Sequence, residues 1–152
     1  MKSLTERWGP VLGWMSLIFF FSDVPGLPWL LPEESRDPVS TAAHFLEYSA
    51  LGALLLRACL PDLPTLPGES STGQAGRQAA RPSRTPHRFW VLLALWTVAS
   101  FYGAADEFHQ SLVPNRTASV EDWAVDTSGA LAGLVSYYLW KMRASLKRKR
   151  GV

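Results

Sequence analysis

The chain has 152 residues, 47% of them hydrophobic, a formal charge of +2 and one cysteine, Cys59. A single cysteine excludes an intrachain disulfide, and no phosphate-binding glycine loop or nucleic-acid motif is present. A mean hydropathy near zero would suit a soluble helical bundle, but that average hides segregation, because polar residues are concentrated between Pro61 and Arg88 and in the C-terminal tail.

The first apolar segment runs from Trp8 to Ser22 without a charge. With its flank from Leu4 to Arg7 it reaches the length of a membrane span, at about 5–22. Lys2 and Arg7 would also suit the basic end of a signal peptide. No small-x-small cleavage pattern follows Phe21, so an uncleaved helix is expected. The second segment, 38–60, is interrupted only by His44, Glu47 and Arg57, and Asp37-Pro38 predicts its N-cap and first helical position. The third, 88–106, is uncharged from Phe89 to Ala105, and the fourth, 122–140, carries only Asp126 between Trp123 and Trp140. A bilayer-crossing helix needs roughly 17 to 25 mainly apolar residues. Trp8, Trp29, Trp90, Trp123 and Trp140 stand near segment ends, as interfacial belts require. The expectation is an all-α integral membrane bundle of four transmembrane helices. Residues 61–87, with Pro61, Pro64 and Pro67 followed by small and polar residues, read as a disordered loop. Residues 141–152 read as a basic tail suited to anionic lipid headgroups.

Charge fixes an expected orientation. Lys2 and Arg7 precede the first segment, and Asp23, Glu33, Glu34 and Asp37 outnumber Arg36 after it. Arg57, Arg77, Arg81, Arg84 and Arg88 dominate the second connection. The third has Asp106, Glu107, Glu121 and Asp122 against Arg116, and the tail is wholly basic. The positive-inside rule then puts both termini and the middle loop in the cytoplasm.

That topology gathers the ionisable residues of the apolar segments at one face of the membrane, where ions are expensive and mark sites. His44, Glu47, Tyr48 and Leu51 fall at i, i+3, i+4 and i+7, one stripe of a helix. Ser119 to Asp122 has the form of a capping box. Asp122, Asp126, Gly129 and Gly133 follow as a second stripe whose glycines allow close helix approach. Asp106 with His109, and Glu107 with Gln110, share faces if the third helix continues through them. Pro114-Asn115 predicts a turn that returns Arg116 over the same mouth, as counter-ion for Asp106, Asp122 or Asp126. A structural ion-pair network tying three helices together is the plainer alternative, and a functional site is the stronger reading because the charges are many, mixed and on one face.

His44-Phe45-Leu46-Glu47-Tyr48 with Leu51-Gly52, Asp106-Glu107-Phe108-His109-Gln110 with Val113-Pro114-Asn115-Arg116, and Asp122 and Asp126 with Gly129 and Gly133 together resemble the VanZ-like membrane proteins. The likeness extends to Ser22-Asp23-Val24-Pro25-Gly26, and so covers the chain as a single domain apart from the middle loop and tail. Asn115 stands where the family pattern leads one to expect glycine, and both tolerate positive φ. The resemblance implies a small multi-pass protein of the bacterial inner membrane. It also implies a link to the cell envelope, in a family named for a member that gives low-level resistance to the glycopeptide antibiotic teicoplanin.

Two classes of function follow. In one, Glu47, His44 and Asp106 are candidate catalytic groups, with Glu47 as general acid or base and His44 as its proton partner. Arg116 then binds an anionic group of a lipid-linked envelope precursor or of the antibiotic, among Glu107, Gln110, His109, Asp122, Asp126 and Tyr48. In the other, the chain is a non-enzymatic binding or assembly module, or a small transporter subunit. Membrane lipids are expected partners, and nucleic acid is not. His44, Glu47, Asp106, His109, Asp122 and Asp126 are all metal-ligand types, but no HExxH-type spacing links them and Arg116 would repel a cation. No cofactor is therefore expected, a divalent metal being the minority alternative.

Overall fold

The structure, a computed structural model, describes residues 3–24, 33–59, 85–114, 116 and 118–149, with 33–37, 85–87 and 148–149 described by backbone alone. Four helices follow in order: α1 (Leu4–Asp23), α2 (Glu33–Cys59), α3 (Thr85–Gln110) and α4 (Val120–Lys149). The described residues contain no strand, and the all-α expectation holds.

Local chemistry explains most of the boundaries. α1 opens with a capping box in which the Glu6 amide donates to Ser3 Oγ at 3.2 Å and the Ser3 amide to Glu6 Oε2 at 3.1 Å. α2 begins at Glu33, not at the expected Asp37-Pro38 boundary, and Pro38 lies inside it. The acidic pair Glu33-Glu34 suits the positive end of a helix, while Pro38, past the first turn, cannot bond the Glu34 carbonyl and crowds it with its ring. α3 runs past the expected limit at 106 to Gln110, which places Asp106, Glu107, His109 and Gln110 on helix. It also starts at Thr85, inside the stretch expected as loop; the remainder of that stretch, 61–84, lies outside the described residues. α4 continues through most of the expected tail to Lys149. Residues 141–149 contain no glycine or proline, and lysine, arginine, leucine and alanine all favour helix.

Packing is tightest between α2 and α4; α1 rests on α2 and α3, and α3 on α4. The α2/α4 seam is backbone on backbone. A Cβ on Gly52, Gly129 or Gly133 would collide with the carbonyl of Ala130, Phe45 or Ser49 respectively. Ser49 Oγ adds a hydrogen bond to the Gly129 carbonyl at 3.0 Å. The small-residue stripe read on α4 is therefore the contact surface, as close helix approach requires.

Val11, Ile18, Leu51, Leu55, Leu56, Leu95, Ala99 and Leu134 form the apolar core. At the end of the bundle away from the polar residues, Arg7 donates twice to the Ala58 carbonyl, at 2.7 and 3.0 Å, near the C-terminus of α2. The outside is also apolar, with Leu12, Phe19, Phe20, Phe21, Trp90, Phe101, Leu131 and Val135 exposed. Pro38–Cys59 and Arg88–Gln110 are long and apolar enough to cross a membrane. α1 and α4 fall short of that measure.

Candidate functional site

Alternating helix direction brings the C-terminal ends of α1 and α3 beside the N-terminal halves of α2 and α4. Six polar residues are buried there or just below: Ser22, His44, Asp106, Glu107, Gln110 and Asp126. Buried polar groups need partners, and the partners chosen here define three ties between helices.

The first tie joins α2 to α4. His44 Nδ1 lies 3.0 Å from Asp126 Oδ1, with Asp126 fully buried and His44 7% exposed. Gly103 lets α3 close over the pair, since a Cβ there would sit 3.2 Å from Asp126 Cβ and 3.4 Å from Tyr48 Cε1. The second joins α1 to α3. Asp106 Oδ2 accepts from Ser22 Oγ at 2.8 Å and from Gln110 Nε2 at 3.0 Å. Arg116 Nη1 donates to Gln110 Oε1 at 3.4 Å, and its Nη2 to the carbonyls of Phe21 and Val24 at 3.1 and 3.0 Å. The third joins α3 to α4, where Glu107 Oε2 accepts from the Ser119 amide at 2.7 Å.

The same atoms leave a remainder. Asp106 Oδ1, Glu107 Oε1, Asp126 Oδ2, Tyr48 Oη and Arg116 Nε are buried without a hydrogen-bond partner among the described residues. Each carboxylate thus uses one oxygen for a tie and leaves the other open. Taking one ligand atom from each, His44, Glu107 and Asp126 lie within 4.8 Å of one another.

Several expected pairings differ. His44 bonds Asp126 and not Glu47, because the α2/α4 seam places Asp126 against it. The Glu47 side chain is half-buried with no hydrogen bond among the described residues, although its carbonyl accepts from Trp14 Nε1 at 2.9 Å. Arg116 makes no ion pair with Asp106, Asp122 or Asp126; its Nη2 instead donates to the Val24 carbonyl and to the Phe21 carbonyl, which also accepts from the Val24 amide at 3.3 Å. The capping box at α4 forms by half. Ser119 Oγ accepts from the Asp122 amide at 3.2 Å, but the reciprocal place at the Ser119 amide is taken by Glu107 from α3. His109 stands aside, stacked on Phe19 with centroids 4.3 Å apart, and its Nε2 lies 3.5 Å from an Asp23 oxygen without hydrogen-bond alignment. Asn115 lies outside the described residues.

Ser22, Ser119 and Gly103 were not among the residues expected at the site. Ser22 had a readable signal, since Val11, Ile18 and Ser22 fall at i, i+7 and i+11 on the one buried face of α1.

An all-α bundle with an apolar exterior and a partly unsatisfied polar cluster at one end is the class of protein these features define. The chain belongs to the VanZ/LLP1 family, whose match spans residues 8–141 and so includes every residue of the cluster. No curated protein and no solved structure matches it.

Proposed function

We propose that this chain is a four-span protein of the bacterial inner membrane whose polar cluster opens toward the outer face and engages an amphiphilic component of the cell envelope. The observation that carries the reading is the set of open buried atoms, three carboxylate oxygens, a tyrosine hydroxyl and an arginine N–H, at one end of a bundle whose exterior is apolar. Unsatisfied polar atoms in such surroundings are costly, and a ligand bearing both donors and acceptors removes that cost. A lipid-linked envelope precursor or a glycopeptide antibiotic has such groups beside an apolar part. Pro38–Cys59 and Arg88–Gln110, each long and apolar enough to cross a membrane, support two of these spans. α1 and α4, each packed along them, are the other two spans of this reading, and the alternating basic and acidic flanks support termini in the cytoplasm.

The test is teicoplanin susceptibility of a host expressing the chain or its Glu47→Gln or Asp106→Asn variant at matched membrane levels, with vancomycin as control drug. The expected result is reduced teicoplanin susceptibility with the wild type and its loss with a variant. An unchanged wild-type response removes the glycopeptide reading. A second reading, a binding or assembly module without chemistry, is favoured by the three interhelical ties, which are as well suited to holding a surface in shape. It predicts that Glu47→Gln retains the full wild-type effect.

A further inference from the structure

His44, Glu107 and Asp126 each bring one ligand atom within 4.8 Å of the others, and the chemistry of that group can be named more narrowly. We propose that His44, Glu107 and Asp126 form a binding site for a divalent cation of the zinc or manganese type.

Three observations carry this. One ligand atom from each residue lies within 4.8 Å of the other two, and the three come from three different helices. All three residues are more than nine-tenths buried, at 7%, 6% and 0% exposure for His44, Glu107 and Asp126. Glu107 Oε1 and Asp126 Oδ2 have no hydrogen-bond partner among the described residues, so each carboxylate can offer an oxygen without breaking a tie.

Geometry and charge agree with the assignment. Zinc bonds imidazole nitrogen and carboxylate oxygen at about 2.0–2.2 Å, so donors around a tetrahedral ion sit about 3.4 Å apart. The three donors lie within 4.8 Å of one another, wider than that spacing, so binding an ion draws them inward. Two carboxylates near each other in a water-poor interior repel. An imidazolium at His44 would neutralise one of them, whereas a dication neutralises both. One nitrogen and two oxygens match zinc and manganese better than thiophilic ions or magnesium, which takes oxygen ligands and keeps its waters, and three protein ligands leave a coordination position open. The Arg116 guanidinium keeps its charge, but its hydrogen bonds direct it to Gln110 and to the carbonyls at the end of α1, and none goes to His44, Glu107 or Asp126. The site was not legible as a motif, since positions 44, 107 and 126 have no local spacing.

The experiment uses the full chain purified in detergent without a polyhistidine tag. It is equilibrated with zinc or manganese chloride, desalted, and measured by inductively coupled plasma mass spectrometry. The expected content is about one ion per chain, the count that a single three-residue site allows. His44→Ala and Glu107→Gln should weaken retention by more than about 10-fold, the scale on which even outer-shell partners act. Cys59→Ser, at the opposite end of α2, should retain the ion. Wild-type protein also gives a readout that no variant's folding can confuse, since its thermal midpoint should rise with zinc or manganese concentration, fall with EDTA and ignore magnesium. Absence of both retention and midpoint shift overturns the site, as does equal retention by the His44→Ala/Glu107→Gln double variant. The two readings share the Glu107 and Asp126 oxygens, but metal content of purified protein and drug susceptibility of cells are separate measurements, so failure of one is distinguishable from failure of the other.

Discussion

Gly133→Ala is the sharpest test of how the bundle is held. A Cβ on Gly133 would sit 2.7 Å from the Ser49 carbonyl carbon and 2.9 Å from its Cα, with the carbonyl oxygen nearer still. Carbon atoms pack at about 3.5–4.0 Å, so α2 must retreat by about 1 Å, and a gap of that size forfeits up to half of each dispersion well along the seam. Overpacking of this kind costs about 1–3 kcal/mol, against the roughly 1 kcal/mol that alanine gains over glycine in a helix. Gly13, in α1, has nothing within 4 Å of its would-be Cβ, so Gly13→Ala receives the propensity gain without the clash. Thermal unfolding of both variants in one detergent should therefore lower the midpoint for Gly133→Ala and hold or raise it for Gly13→Ala. At about 2–4 °C per kcal/mol for a chain of this size, the opposite signs are resolvable. A Gly133→Ala midpoint equal to or above that of Gly13→Ala would refute the backbone-contact account of the α2/α4 seam.

The polar ties yield two further predictions. Arg116→Ala removes a charged donor from two carbonyls at the end of α1, and should cost about 1.5–3 kcal/mol by thermal unfolding, with Arg116→Lys recovering only part because it lacks the planar fork. A double-mutant cycle of His44→Ala and Asp126→Asn should show coupling of about 0.5–3 kcal/mol; a value near zero would mean that the 3.0 Å contact contributes nothing to the fold.

Helices were legible because four apolar runs dominate the chain, and the end of the bundle that holds the site was legible because alternating direction leaves no other choice. Partners inside that end were harder to read. Arg116 reads as a counter-ion because opposite charges attract at any distance, but its guanidinium donates to the Phe21 and Val24 carbonyls at the end of α1. His44 and Glu47 share a helical stripe, yet the side chain that meets His44 is decided by how closely α4 approaches, which depends on the glycines facing Phe45 and Ser49. Asp37-Pro38 has the form of an N-cap and first helical position, yet α2 begins at Glu33, and α4 extends past the span at 122–140 into the basic tail. The basic residues of 141–149 and the acidic pair Glu33-Glu34 are compatible with helix, and carry it beyond the apolar run.

Asp106→Asn separates cohesion from ligand binding at the least cost to the fold. Asp106 Oδ2 accepts from Ser22 and Gln110 while Oδ1 is buried without a partner among the described residues. A network that served only to hold helices together would be better built with asparagine, whose single oxygen can accept both bonds and whose amide removes the expense of a buried carboxylate. If cohesion is the whole role, Asp106→Asn leaves the thermal midpoint unchanged or raises it, and the protein's effect on the cell persists. If the open oxygen serves a ligand, the midpoint behaves in the same way while that effect is lost. A large drop in midpoint would instead show that the carboxylate charge itself holds α1 to α3. The hydrogen-bond geometry argues against that third outcome, because both donors to Asp106 are neutral.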